Sequence, residues 1–484
     1  MGMDNKSKAE NKDKNTGYRY LAKNIGLLTV SSFSTKILQF FLVPLYTSIL
    51  STTDYGIFDL VNNTVSLLVP ILTVNIAEAV MRFALDENTK KKEVFSIGFR
   101  YFLTSSSLVL FLLVINYIFG FFAQIQQYWV YIFLMYVIGS LGGMVANYTR
   151  GLNKIKTIAI SGVIGSITSI GLNIIFLIIF KMGIKGYFLA YIFGGLSQLI
   201  YEAASIQLTK HISIKANKIL QKNMLQYSFP LIMNAIAWWI NAVSDRYIVT
   251  WFCGVAENGI YAVGGKIPGI INIVQSIFNS AWSLSAIKEF NAEDKNGFFS
   301  KLYNSYLAMM VISCSGIILL DRPLAYFLYA KDFYVAWRYV PFLTIALVFG
   351  ALSGYIGGIF VAVKDTKIFA KSAMIGALTN IVLNMILIQF MGAMGAAIAT
   401  AISYWIVWMI RFNTLKTHIH IKTFIVRDYI SFAILVLQTG VLLIWERDSV
   451  VVYLIEGILT AVEVALFKKE IYSLMLGVKK KIKK

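Results

Sequence analysis

The sequence of 484 residues predicts an all-α polytopic membrane protein with about fourteen transmembrane helices, and three observations carry that prediction. Its composition, 58% hydrophobic with a mean hydropathy of +0.69, lies outside the soluble globular range. Apolar segments of bilayer-spanning length, roughly 20 residues each, recur along the whole chain. Lys and Arg gather in every second connection between those segments. The spans fall at 24–49, 55–81, 95–120, 127–149, 156–180, 185–209, 225–251, 257–287, 300–320, 335–363, 367–390, 393–412, 428–446 and 449–467.

The basic residues fix a direction for this path. The N-terminal tail carries Lys6, Lys8, Lys12, Lys14, Arg19 and Lys23. Alternate loops then carry Arg82 with Lys90–Lys92, Arg150 with Lys154 and Lys156, and Lys210 to Lys222. The series ends in the lysine-rich tail from Lys468. The opposite loops hold only Lys181, Lys185, Arg322, Lys331, Arg338 and Arg447. Cytoplasmic loops are the Lys/Arg-rich ones. Both termini are therefore expected on the cytoplasmic side, and the net charge of +20 reads as topology rather than as nucleic-acid binding.

Several function classes are excluded by what the sequence lacks. Residues 1–20 are polar and lysine-rich, so no cleavable signal peptide is read and the first span is expected to act as an uncleaved anchor. The opposite loops, roughly 2 to 14 residues by the span bounds above, leave no room for an extracytoplasmic catalytic domain. His211, His418 and His420 all fall in basic loops. Cys253 and Cys314 have no metal or redox spacing. Gly264-Gly265-Lys266 is followed by Ile267 and is not a phosphate loop. No catalytic residue, metal or cofactor is expected.

An internal duplication organises the chain. Residues 156–175 and 367–386 match without gaps at ten of twenty positions, among them Lys156/Lys367, Ser161/Ser372, Gly165/Gly376, Thr168/Thr379 and Asn173/Asn384. Both copies continue into Met-Gly-x-x-Gly, at Met182–Gly186 and Met391–Gly395. Tyr55-Gly56-Ile57-Phe58 is echoed by Asn258-Gly259-Ile260-Tyr261. A six-helix unit repeated once keeps its orientation in the membrane and suits two lobes that rock about a central site. The expected organisation is a basic tail at 1–23, an N-lobe at 24–209 and a linker at 210–223. A C-lobe at 224–412, two added helices within 413–467 and a basic tail at 468–484 complete it.

Polar residues inside spans are costly and face protein or a water-filled cavity. The first span places Thr29, Ser32, Lys36 and Gln39 in one narrow sector at 100° per residue. The second places Asp59, Asn63, Ser66, Pro70 and Thr73 likewise. The seventh carries Asn234, Trp238, Asn241 and Asp245 on one face, with Arg246 beside it, and the eighth adds Lys266, Asn272, Gln275 and Asn279. A hydrophilic cavity between the lobes accounts for all four faces. Asp245 and Arg246 also read as a structural ion pair, and the sequence does not separate the two. Glu78 and Arg82 read as a helix-surface pair, Arg100 as an interfacial anchor, and Asn173 and Asn384 as interhelical hydrogen-bonders. Pro44, Pro70, Pro230 and Pro268 mark points where spans 1, 2, 7 and 8 are free to bend.

An ordered set of motifs resembles a family. It runs Ser51-Thr52-Thr53-Asp54-Tyr55-Gly56-Ile57-Phe58, Arg82-Phe83, Tyr227-x-x-Pro230, Ser244-Asp245-Arg246-Tyr247-Ile248, Gly259-Ile260-Tyr261-Ala262 and Leu383-Asn384 followed by Gly392-Ala393-Met394-Gly395. Together these are similar to the bacterial oligosaccharide repeat-unit flippases, often called Wzx-type, over residues 20–445. That family shares a superfamily with multidrug/toxin extruders and lipid II flippases. The resemblance implies a two-lobe helical fold in the bacterial cytoplasmic membrane and alternating access. It also implies an undecaprenyl-diphosphate-linked oligosaccharide as cargo and a coupling ion, H+ or Na+. Partners would be a polysaccharide polymerase and glycosyltransferases of capsule, exopolysaccharide or O-antigen assembly. A lipid diphosphate needs fixed cations along its path. Lys36, Arg246 and Lys266 are the candidates, with Arg82 at the mouth, and Trp238 and Trp282 would meet sugar rings. Asp59 or Asp245 would carry a coupling proton, and a carboxylate that merely neutralises a neighbouring cation explains them equally well. An extruder of cationic drugs, a lipid II flippase and a membrane polymerase or ligase are the competing readings. Chiefly basic mid-span charges argue against the first, and the short outside loops argue against the last.

Overall fold

The computed structural model describes residues 40–120, 126–211, 217–288, 292–295, 297–363, 365–445 and 449–473, and every regular element among them is helical. In order these are α1 Val43–Ile49, α2 Thr52–Leu72, α3 Ile76–Ala84, α4 Lys91–Phe119, α5 Trp129–Gly151 and α6 Ile155–Asn173. A π-helical turn at Ile174–Ile179 extends α6. Then come α7 Gly183–Ile206, α8 Lys218–Cys253, α9 Val255–Gly264, α10 Gly269–Lys288 and α11 Phe298–Leu319. The chain ends with α12 Asp321–Leu328, α13 Val340–Ala362, α14 Thr366–Met391, α15 Ala393–Leu415, α16 Ile425–Ile444 and α17 Val450–Leu466. Each predicted span from the second onward has its helix, and nine helices among the described residues are long and apolar enough to cross a membrane.

Three departures from the expected spans have local causes. Span 2 divides after Pro70, where Val74 and Asn75 take left-handed backbone angles (φ 56° and 49°). A β-branched residue there is strained, and the Asn75 amide returns to the Pro70 carbonyl at 2.7 Å. Span 8 divides at Gly265–Pro268, where Lys266 N–H donates to the Val263 carbonyl at 2.8 Å. The third lies at residues 321–338, where the expected loop and the expected start of the tenth span fold instead as α12 and a 3-10 turn at Lys331–Arg338. Arg322 is buried there, with its guanidinium 4.4 Å from the Trp337 ring centroid. Pro230, by contrast, lies inside the continuous α8.

The chain packs as two compact units, one of Ile57–Trp239 and the other of Val43–Gly56 with Ile240 onward. The chain crosses from one unit to the other at Leu42–Val43, where α1 begins, and inside α2 and α8. In the first unit α3, α4, α5 and α7 enclose a core of Val80, Phe95, Met144 and Tyr148. α6 and α7 cross where a Cβ on Gly165 would lie 3.0 Å from the Gly194 carbonyl, and the reverse holds for Gly194. In the second unit the buried helix α13 carries Tyr355 against Trp282, with ring centroids 4.2 Å apart. α1 and the first turn of α2 belong to this unit. Thr47 Oγ1 donates to the Leu328 carbonyl at 3.0 Å and accepts from Ala330 N–H at 3.1 Å, and Tyr55 meets Phe333 edge-on.

Positions paired by the repeat make corresponding contacts. Asn173 donates to the Ser169 carbonyl and Asn384 to the Asn380 carbonyl, each at 2.8 Å. These bonds stay within one helix rather than crossing to another as the sequence suggested. Counted from Gly183 and Gly392, Glu202 on α7 is the counterpart of Arg411 on α15. Glu202 Oε1 accepts from Ser161 Oγ at 2.5 Å, while Arg411 Nε donates to Ser372 Oγ at 2.8 Å. Paired serines thus hold charges of opposite sign at one structural position. The first copy has two more residues than the second between its matched Ile (175/386) and Met (182/391), and the π turn lies in that stretch.

After α7, the 3-10 turn Leu208–His211 brings His211 Nδ1 within 2.7 Å of Tyr148 Oη. Burial, with Lys92, Lys154 and Lys91 nearby, pushes the imidazole below its usual range. The folded state therefore binds fewer protons here than the unfolded state, so stability rises with pH across this window. As pH falls through about 6.5, the ordinary His value, melting temperature is expected to drop and to level off once the folded ring is charged. His211→Gln should flatten that drop in a thermal melt of detergent-purified protein. An unchanged drop would assign it to another group.

Candidate functional site

The candidate polar residues of the first unit assemble around α2. Asp59 and Asn63 lie one turn apart, and Asn63 Nδ2 donates to Asp59 Oδ2 at 3.1 Å. The Asn63 carbonyl accepts the Trp239 indole N–H at 2.9 Å, which ties α2 to α8. Asn234 and Trp238 precede Trp239 on α8 and are exposed, Trp238 at 64%. Four residues apart, they share one face of the helix. Trp239 itself was not among the sequence candidates, and only its position beside Trp238 hinted at it.

Past Pro70, the break between α2 and α3 opens a cavity of about 190 Å³, with Thr73, Asn75 and Glu78 on one side and Ser140, Gly143 and Asn147 of α5 on the other. Asn147 Nδ2 donates to Glu78 Oε1 at 3.4 Å and Arg150 Nη1 donates to Asn147 Oδ1 at 3.3 Å. Glu78 is thus held by α5, where the sequence had suggested Arg82. Arg82 is exposed one turn beyond Glu78, and its neighbour Phe83 packs edge-on against Tyr227. The α5 residues went unnoticed in the sequence, although 140, 143 and 147 share one helical face.

In the second unit the site residues converge on Asp245. Its Oδ2 accepts from the buried Tyr261 hydroxyl at 2.7 Å, and its Oδ1 accepts from Arg246 N–H at 2.9 Å. Thr400 of α15 stands beside Tyr261 and accepts from Asn380 Nδ2 of α14 at 3.3 Å. A relay of polar side chains from α14 through α15 and α9 therefore ends at the Asp245 carboxylate of α8. Asn241 lies one turn before it on α8, half-buried. Lys266 occupies the break between α9 and α10, exposed, with its ammonium 5.9 Å from the Tyr55 ring centroid. Asn272 is exposed on α10, and Asn279 faces Gly354 of α13.

Two expectations fare differently. Trp282 is buried in the core and donates to the Tyr355 carbonyl at 2.8 Å, so it is not presented to a sugar. Lys36 lies outside the described residues. Among the described residues no group of three or more His, Cys, Asp or Glu is placed to hold a metal ion.

Comparison with known proteins places this geometry. Residues 21–284, more than half of the chain, match the family of polysaccharide biosynthesis proteins. A probable low-salt glycan biosynthesis flippase, Agl15 of Haloferax volcanii, is 20% identical over 204 residues, 42% of this chain. The chain spans 43% of that relative's length. Among solved structures, lipid II flippase MurJ in an inward closed conformation superposes with a TM-score of 0.67 at 18% identity, covering 93% of this chain and 99% of that one. An inward-facing multidrug resistance MATE family transporter of the MOP superfamily gives 0.63 at 13% identity over 80% and 94%. A MOP superfamily transporter from Pyrococcus furiosus, described as having a binding pocket of reverse polarity, gives 0.58 at 14% identity over 82% and 95%. These relatives are flippases and transporters rather than enzymes. The chain is a multi-pass membrane protein with the flippase and transporter fold, and it belongs to the polysaccharide biosynthesis protein family.

Proposed function

We propose that this protein carries undecaprenyl-diphosphate-linked oligosaccharide repeat units across the bacterial cytoplasmic membrane by alternating access, for assembly of a surface polysaccharide. The observation that carries the reading is a family match joined to cations in or at the ends of spans, namely Arg82, Arg246 and Lys266. A diphosphate moving through a low-dielectric region needs such charges. Asn63, Asn234, Asn241, Asn272 and Trp238 supply the amides and the aromatic face that sugars bind. Asp59 or Asp245 takes the coupling H+ or Na+. The lysine-rich connections support cytoplasmic termini; on this reading glycosyltransferases build the cargo on that side and a polymerase receives it on the other.

A second reading, lipid II transport, is favoured by one observation. The superposition on the lipid II flippase takes in 93% of this chain, against 80% for the multidrug transporter. Deleting the gene in its native host separates the two. Loss of surface polysaccharide with lipid-linked oligosaccharide accumulating on the inner leaflet is the expected result. Accumulated lipid II with growth arrest would establish the second reading. Normal polysaccharide with new sensitivity to cationic dyes would overturn both in favour of an extruder.

A further inference from the structure

The last two helices stand outside the internal repeat, yet their shared face is lined with polar side chains. Glu456 and Glu463 of α17 and Gln438 of α16 are fully buried. Gln438 Nε2 donates to Glu456 Oε2 at 3.0 Å and to Thr460 Oγ1 at 3.2 Å. Ser315 of α11 donates to the same Thr460 hydroxyl at 2.9 Å. Glu463, one turn beyond Thr460, lies beside Ser431 and Cys314. Glu456 Oε1 and Gln438 Oε1 have no hydrogen-bond partner, and the buried Ser431 hydroxyl faces the Glu463 carboxyl.

Charged groups on the packed elements are engaged elsewhere. Arg427 of α16 holds Asp428 at 2.9 Å and also pairs with Glu470 and Asn304. Arg322 of α12, at the other end, donates to the Leu442 and Trp445 carbonyls, with Asp321 beside it. Lys301, at the start of α11, has an exposed side chain. No cation therefore faces either glutamate among the described residues. An ionised carboxylate buried in a span without a cation is expensive, and protonation removes the charge. The two carboxyl groups, seven residues apart on one helix, are about 10 Å apart along its axis. That is too far to share one metal ion.

We propose that Glu456 and Glu463 are proton-binding sites. Gln438 joins Glu456 to Thr460, Glu463 lies one turn beyond beside Ser431, and together they form a titratable polar seam through the α11–α16–α17 packing. Each acid takes up one proton, becoming a neutral carboxyl, and releases it as the carboxylate re-forms. The seam begins at the Arg427 network and ends at the Arg322 carbonyl contacts. It makes no use of the Asp245 cluster or of the cargo.

Dicyclohexylcarbodiimide, an apolar reagent that adds to protonated carboxyl groups, tests this on the full-length protein in lipid nanodiscs, with the modified peptides read by mass spectrometry. Modification of Glu456 and Glu463 is expected at about pH 6, while Glu470, paired with Arg427, stays unmodified. The labelled fraction should fall at least about fivefold by about pH 9, as reversible acids require. Glu456→Gln should remove its own label and leave that of Glu463. No modification at any pH would overturn the proposal. Labelling that ignores pH would mark permanently neutral structural acids and would also overturn it, as would protection by Na+, which would put a metal ion where the proton is placed.

Discussion

Valine in place of Gly259 is expected to destabilise the protein by about 3 kcal/mol. A Cβ on Gly259 would lie 2.0 Å from the Thr52 carbonyl oxygen, and a Cβ on Gly56 would lie 2.1 Å from that of Val255. Neither glycine has a positive φ, so the close approach of two backbones, not conformational freedom, requires it. The atoms in the way are backbone, which has no rotamer with which to yield. α9 would have to separate from the start of α2, losing the Tyr55–Phe333 contact. Gly440→Ala is the matched control, because a Cβ there meets nothing within 4 Å, and alanine favours a helix. Thermal unfolding of the two variants in one detergent decides the matter. Equal melting temperatures would mean that the approach of α2 and α9 is not maintained in solution.

Reversing the charge at Lys266 is expected to reduce polymer export by more than about 100-fold while leaving the amount of inserted protein unchanged. Lys266 has an exposed side chain at a break where its own N–H bonds three residues back to Val263, so substitution disturbs little packing. Its effect on a diphosphate is large. Two unit charges about 6 Å apart at an effective dielectric of about 20 interact by roughly 3 kcal/mol, and glutamate turns attraction into repulsion. Lys266→Gln should fall in between and Lys266→Arg should retain most export. The same reversal at Arg246, or at Lys36, is expected to act alike. Surface polysaccharide in a deletion strain carrying each variant, with membrane protein measured by immunoblot, provides the test. Full export from Lys266→Glu would remove this lysine from the cargo path.

The spans were legible because twenty apolar residues have few structural options. The breaks were only half legible. Pro70 and Pro268 announce weak points, but the left-handed Val74 contradicts every local preference and is set by packing. Helical periodicity placed Asp59 with Asn63 and Asn241 with Asp245. It did not supply Tyr261 or Thr400, which come from other helices with no spacing rule to the seventh span. Trp282 shows the same limit, since periodicity alone does not say which neighbour claims an indole N–H. Glu456 and Glu463 stand in the sequence as two acids seven residues apart in an apolar run, but spacing alone does not show that Gln438 and Ser431 of the neighbouring helix face them. Arg411 closes the twelfth span, where the charge alternation alone would make it a loop cation, whereas burial against Ser372 makes it a structural one.

The seating of α1 has a consequence for synthesis. Thr47 bonds to Leu328 across a separation of 281 residues, and Gly56 waits on Gly259. When a ribosome has released only the first half of the chain, Val43–Gly56 has been made but none of these partners exists. Contacts so distant in sequence form late. The nascent N-terminal half must therefore persist in the bilayer with its leading segment unsatisfied until the tenth span arrives. A truncated chain ending at the middle loop would keep that segment exposed, a ready mark for membrane quality control.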